Sequence, residues 1–242
     1  MRKQSGRLAS FVALVAAVGG LSACGLASDN KFDDDTTVGE KITAVRLDTT
    51  AGGVTLRGKE GLDKVSLHRS VSYQDNKPGA TSRVENGVLV LGGCGQHCAV
   101  TYTVDVPAGL PISGQTSSGA VSLSHVGNVQ VTTNSGAVNL DGVNGSTEVN
   151  TTNGAITGRG LNGDHIRAEA HNGAIDITST KPQDISASTS NGAITLAVPP
   201  AKYKVSAKTG NGHKDIAVPD DPSGQYQLDL STSNGRISVK QA

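Results

Sequence analysis

From Thr116 to the C-terminus, apolar and polar residues alternate in short runs, and one phrase keeps interrupting them. It reads Ser118-Gly-Ala-Val-Ser-Leu123, Ser135-Gly-Ala-Val-Asn-Leu140, Asn153-Gly-Ala-Ile-Thr-Gly158, Asn172-Gly-Ala-Ile-Asp-Ile177, Asn191-Gly-Ala-Ile-Thr-Leu196 and Asn234-Gly-Arg-Ile-Ser-Val239. Asn211-Gly212-His213 is a degenerate copy that reaches its apolar pair late, at Ile216 and Val218. The key glycines Gly119, Gly136, Gly154, Gly173, Gly192, Gly212 and Gly235 are spaced by 17, 18, 19, 19, 20 and 23 residues. Period-2 alternation rich in Val, Ile, Thr and Ser is the pattern of strands, and no stretch keeps a helical period. Asn-Gly also suits two-residue hairpins, so a meander of hairpins competes with a repeat architecture. The even unit length favours the second, and the chain is expected to be all-β, a single-chain β-solenoid with coils of about 19 residues. Seven coils rising about 4.8 Å each would make a rod of roughly 30 Å. At the corners, glycine is expected to adopt a left-handed backbone, asparagine to bond neighbouring coils through its amide, and alanine to keep the turn tight.

Residues 42–112 alternate less regularly, at Val45/Leu47, Val54/Leu56, Val65/Leu67, Val88/Val90 and Val100/Tyr102/Val104/Val106. This part is expected to begin the solenoid or to cap it, since a bare coil end is an open edge. Residues 113–242 form the repetitive part. Ahead of both, Arg2, Lys3 and Arg7 precede the apolar run Phe11 to Val18, the order of a secretory signal peptide. That run is shorter than the roughly 20 residues a membrane helix needs. Leu21-Ser22-Ala23-Cys24 follows and looks like a bacterial lipobox, which makes residues 1–23 a signal peptide and Cys24 the lipid-bearing residue. Residues 24–41 are polar and acidic and read as a flexible tether. The run Asp33-Asp34-Asp35 lacks the alternating ligands and turn glycine of a calcium loop.

Composition narrows the picture. The chain has 31 glycines, no tryptophan and two phenylalanines, so aliphatic side chains must build a thin core. Its formal net charge is zero and it has no basic block, which argues against a nucleic-acid partner. Once Cys24 carries lipid, Cys94 and Cys98 remain. Outside the cytoplasm Cys94-Gly-Gln-His-Cys98 reads most simply as a disulfide. A metal site on Cys94, His97 and Cys98 lacks an evident fourth ligand, and a redox pair would favour two intervening residues. No metal or other cofactor is therefore expected.

The lipobox, the segment Cys98-Ala-Val-Thr-Tyr-Thr-Val-Asp-Val-Pro-Ala-Gly109 entering the ladder, and the Ser/Asn-Gly-Ala-Ile/Val phrases together resemble a family of exported bacterial proteins of unknown function known as putative adhesins. The resemblance covers roughly Ile42 to the end and implies a β-solenoid with no mapped catalytic residues. The function expected is that of a non-enzymatic, adhesin-like lipoprotein on the extracytoplasmic face of the cell membrane. It would be held in the bilayer through Cys24 and would meet a protein or glycan partner. A regulatory or stress-sensing lipoprotein that binds an envelope protein is one alternative, and a polysaccharide-active enzyme is another. For the enzyme, the densest titratable patch is Asp164, His165, Arg167, Glu169, His171 and Asp176, which strand alternation is expected to split between faces.

Overall fold

The computed structural model describes residues 29–242; the expected signal peptide, lipobox and Cys24 lie outside them. The first part of the chain forms β1 (Asn30–Val38), β2 (Ala44–Thr49), β3 (Val54–Lys59), β4 (Val65–Tyr73), β5 (Ser82–Glu85), β6 (Val88–Gly92) and β7 (Cys98–Pro107). The repetitive part forms β8 (Ile112–Ser118), β9 (Val121–Ser124), β10 (Val129–Ser135), β11 (Val138–Asp141), β12 (Thr147–Asn153), β13 (Ile156–Leu161) and β14 (His165–Asn172). It continues through β15 (Ile175–Ser179), β16 (Asp184–Asn191), β17 (Ile194–Val198), β18 (Tyr203–Asn211), β19 (Lys214–Ile216), β20 (Tyr226–Asn234) and β21 (Ile237–Gln241). No described residue is helical.

The strands form two sheets. The first runs β1-β4-β7-β3-β9-β11-β13-β15-β17-β21-β19, and the second β18-β20-β16-β14-β12-β10-β8-β2-β6-β5. Each repeat gives one strand to each sheet, and the repeats pair in parallel, which excludes the hairpin meander. Register is kept because a one-residue slip would turn every apolar side chain outward. Ile112, Val129, Thr147, Ile166, Ile185, Leu228 and Val205 thus fall in one row, facing the core between the sheets. The core is thin and aliphatic, as the composition requires, with two buried tyrosines, Tyr102 and Tyr203.

At both ends the chain order departs from the stacking order. The coil β2/β3 lies between β6/β7 and β8/β9, and the antiparallel strands β4, β5 and β1 close that end. The first half therefore both extends the parallel stack and caps it. At the other end, β18/β19 sits outermost and the final coil β20/β21 is inserted between it and β16/β17. This explains the 23-residue spacing before Gly235, because residues 217–225 must cross back over one rung. It also explains the degenerate copy. Lys214 takes the position aligned with Ile237 but lies in the last strand, where no further coil covers it.

Two expectations need correction. The supposed tether is a strand over Asn30–Val38, paired antiparallel with β4 along its whole length. Asp34 receives two bonds from the Arg69 guanidinium, at 2.6 and 2.7 Å, and Asp35 lies 2.8 Å from His68 Nδ1. The acidic run belongs to an edge strand, where charge discourages further pairing. The second correction concerns the corner glycines. Gly119 has φ of 117°, whereas Gly154, Gly173, Gly192, Gly212 and Gly235 are not left-handed. Glycine is needed there for close approach, since a Cβ on Gly192 would lie 2.0 Å from the carbonyl oxygen of Gly173.

Tyr102 plugs the capped end. Burial pushes its pKa up, and its hydroxyl lies 2.9, 2.8 and 2.5 Å from the Thr81 carbonyl, the Gly92 carbonyl and the Thr81 hydroxyl. Tyr102→Phe leaves these groups without that partner and is expected to cost about 1–3 kcal/mol, measured as a lower urea midpoint at unchanged m-value.

Candidate functional site

Three groups of polar side chains recur along the stack, and their hydrogen bonding separates structural roles from free surface. The first is the corner column. Asn211 donates its amide to Asn234, Asn234 to Asn191, Asn191 to Asn172 and Asn172 to Asn153, at 2.9–3.0 Å. All four bonds run in one direction, so the amide dipoles align and reinforce one another. The repeated Asn-Gly is thus committed to joining coils.

The second column is buried just inside it. Thr189, Thr232 and Thr209 donate their hydroxyls to the carbonyls of Gly173, Gly192 and Gly235 in neighbouring coils, at 2.9, 3.0 and 2.9 Å, and Thr151 reaches Gly136 at 3.4 Å. Ala170 interrupts the column, and the buried hydroxyl of Thr133 has no partner. Sequence reasoning did not identify this column. Its signal is a threonine three residues before the glycine, at Thr116, Thr133, Thr151, Thr189, Thr209 and Thr232.

The third group comprises side chains on the outer faces. The expected titratable patch is divided: Asp176 lies on the first sheet, whereas His165, Arg167, Glu169 and His171 share the outer face of β14 in the second. The latter four were expected on different faces, but alternation at odd positions aligns them. Arg167 pairs with Glu169, Asp164 with Lys181 at 3.6 Å, and His171 Nδ1 lies 3.1 Å from Ser190 Oγ. Asp164, Arg167, Glu169 and His171 thus have partners on an exposed surface, whereas His165 and Asp176 have no side-chain partner among the described residues. Cys94 and Cys98 are disulfide-bonded, with Cα atoms 5.7 Å apart, and stand beside the capped end where Cys98 pairs with Tyr73.

The outer face of the first sheet is different. Across β3, β9, β11 and β13 it holds a shallow groove of about 600 Å³. Thr55, Ser122, Asn139 and Thr157 form one aligned row in it, and Arg57, Ser124, Asp141 and Arg159 form the next. Among the described residues, Thr55, Ser122, Asn139 and Thr157 have no side-chain hydrogen bond, and Arg57, Asp141 and Arg159 have neither side-chain hydrogen bond nor ion pair. Arg57 and Arg159 are 102 residues apart in sequence, and only the strand register brings them to one groove. Among the described residues, no group of three or more His, Cys, Asp or Glu side chains is arranged to hold a metal ion.

A family model described as Toastrack DUF4097 matches residues 62–241. Among solved structures, a putative adhesin from Parabacteroides distasonis ATCC 8503 superposes with a TM-score of 0.52 at 12% identity, covering 89% of this chain and 98% of that one. A putative adhesin from Bacteroides fragilis NCTC 9343 gives 0.49 at 13% identity, covering 89% and 99%. At such identities the likeness concerns the fold alone. No curated protein matches the chain.

Proposed function

Taking as premise that the chain belongs to the Toastrack DUF4097 family, we propose that it is an exported lipoprotein, anchored through Cys24, whose β-solenoid presents an outer face to a partner in a non-enzymatic, adhesin-like role. The observation that carries the binding role is the contrast between polar groups. Corner asparagines and inner threonines are spent on joining coils, whereas the groove on the first sheet holds a row of unpartnered hydroxyl and amide groups beside a second row that ends in Arg57 and Arg159. Ligand sites are typically concave with a few convergent polar groups, and this groove fits that description better than the paired charges on β14. The putative adhesin from Parabacteroides distasonis, similar to this chain in fold, supports the same direction.

Anchoring rests on Leu21-Ser22-Ala23-Cys24. The six residue-to-residue steps from Cys24 to Asn30 can reach at most about 21 Å. In this reading the β1 end of the stack therefore stays within about 21 Å of the bilayer. Lipid anchoring of this kind needs more than one acyl chain to be stable. Cys24→Ser is expected to move the protein from the membrane pellet to the soluble fraction. Pelleting at the wild-type level would refute the anchor. Release of reducing ends from a purified envelope polysaccharide would refute the non-enzymatic part, and in that event the His171 and Ser190 pair would be the first place to look.

A further inference from the structure

The groove on the first sheet has a chemistry specific enough to name a ligand class. We propose that it binds an extended acidic glycan lying across β3, β9, β11 and β13, an inference that rests on the binding role proposed above and specifies its ligand.

The argument starts from the arginines. Arg46, Arg69, Arg83 and Arg167 are each engaged by a carboxylate within the chain. Arg57, Arg159 and Arg236 have no such partner among the described residues, and two of these three stand at opposite ends of one groove. The register Arg57, Ser124, Asp141, Arg159 separates them by three strand steps, about 14 Å at the usual spacing. Asp105 on β7, in register with Arg57, gives one oxygen to Lys59 at 2.6 Å, and its other oxygen is buried without a partner and makes no bond to Arg57. A guanidinium recognises a carboxylate through two parallel bonds, so two of them at this separation suit a ligand carrying more than one acidic group.

The remaining groups select among polyanions. Asp141 lies between the arginines and can only accept hydrogen bonds, so the ligand must offer a donor there. A chain of carboxylates alone would meet repulsion at that point. Thr55, Ser122, Asn139 and Thr157 run parallel to the charged row and can both donate and accept. A sugar acid meets all three demands, with carboxylates for the arginines and hydroxyls for Asp141 and the polar row. The second sheet lacks this arrangement, because Arg167 and Glu169 pair there and Gln130 donates to Glu148 at 3.3 Å.

The test is calorimetric titration of the soluble Cys24→Ser protein with an oligogalacturonate, beside a neutral malto-oligosaccharide and poly-glutamate as controls. Wild-type groove residues are expected to bind the uronate, with affinity falling as salt is raised. Arg57→Gln with Arg159→Gln should weaken it at least tenfold at unchanged melting temperature, and Asp141→Leu, which removes both the acceptor and the repelling charge, should narrow the preference for the uronate over poly-glutamate. Equal uronate affinity in the double arginine variant would place binding elsewhere and overturn this site while leaving the binding role intact. Preference for the neutral glycan or for poly-glutamate, or no uronate binding at all, would overturn the ligand class.

Discussion

Gly192→Ala is expected to destabilise the protein by about 3 kcal/mol, the upper end for an overpacked site and a large share of the roughly 5–15 kcal/mol typical of a domain. The added methyl would lie 2.0 Å from the Gly173 carbonyl oxygen and 2.5 Å from its carbon. Both are backbone atoms of a coil that is itself held in register, so neither can yield as a flexible side chain would. Relief requires the corners to separate, and separation breaks the Asn191 to Asn172 amide bond and the Thr189 bond to the same carbonyl. Gly79→Ala is the control, since nothing lies within 4 Å of a Cβ at that position. It should change stability by less than about 0.5 kcal/mol. Equal denaturation midpoints for the two variants would refute the close-approach account.

Removal of residues 226–242 is expected to have the second large effect. It deletes the inserted coil and with it the buried side chains Leu228, Leu230, Ile237 and Val239. At about 1.5–3 kcal/mol for each buried side chain the gross loss exceeds several kcal/mol. Part of it is recoverable. Asn211 follows Asn191 by 20 residues, within the ordinary spacing of the repeat, so β18/β19 can move one rung inward and dock on β16/β17. Hydrogen exchange should then show β16 and β17 still protected in a protein of lower melting temperature. Wild-type stability in the truncated chain would contradict a structural role for the inserted coil.

The same degeneracy marks the limit of what the sequence discloses. The period, the strand assignment and the inward Val, Ile and Leu positions follow from the Asn-Gly-Ala-Ile phrases alone, because alternation and repeat length are local properties. Which coil touches which does not follow. Asn211 and Asn234 carry equivalent corners, and only the shortage of apolar residues after Gly212 hints that β19 is terminal. The strand at Asn30–Val38 was hidden for another reason. Three consecutive aspartates read as solvated chain until Arg69 and His68, more than 30 residues away, supply their partners. At Gly154, Gly173, Gly192, Gly212 and Gly235 the need for glycine is tertiary, the neighbouring carbonyl, and not a left-handed φ, which Gly119 does adopt; a contact of that kind is not readable from local sequence. The groove was invisible for the same reason as the coil order, since Arg57 and Arg159 become neighbours only through register.

Engineered cysteine pairs at the corners test that register directly. Adjacent in-register strands place Cα atoms within the range a disulfide can span, whereas two rungs exceed the limit of about 7 Å. In the Cys24→Ser background, Asn191→Cys with Asn234→Cys and Asn211→Cys with Asn234→Cys should crosslink readily on mild oxidation. Asn191→Cys with Asn211→Cys, which follow one another in the repeat but are held apart by Asn234, should not. A crosslink between positions 191 and 211, without one between 191 and 234, would contradict the stack described.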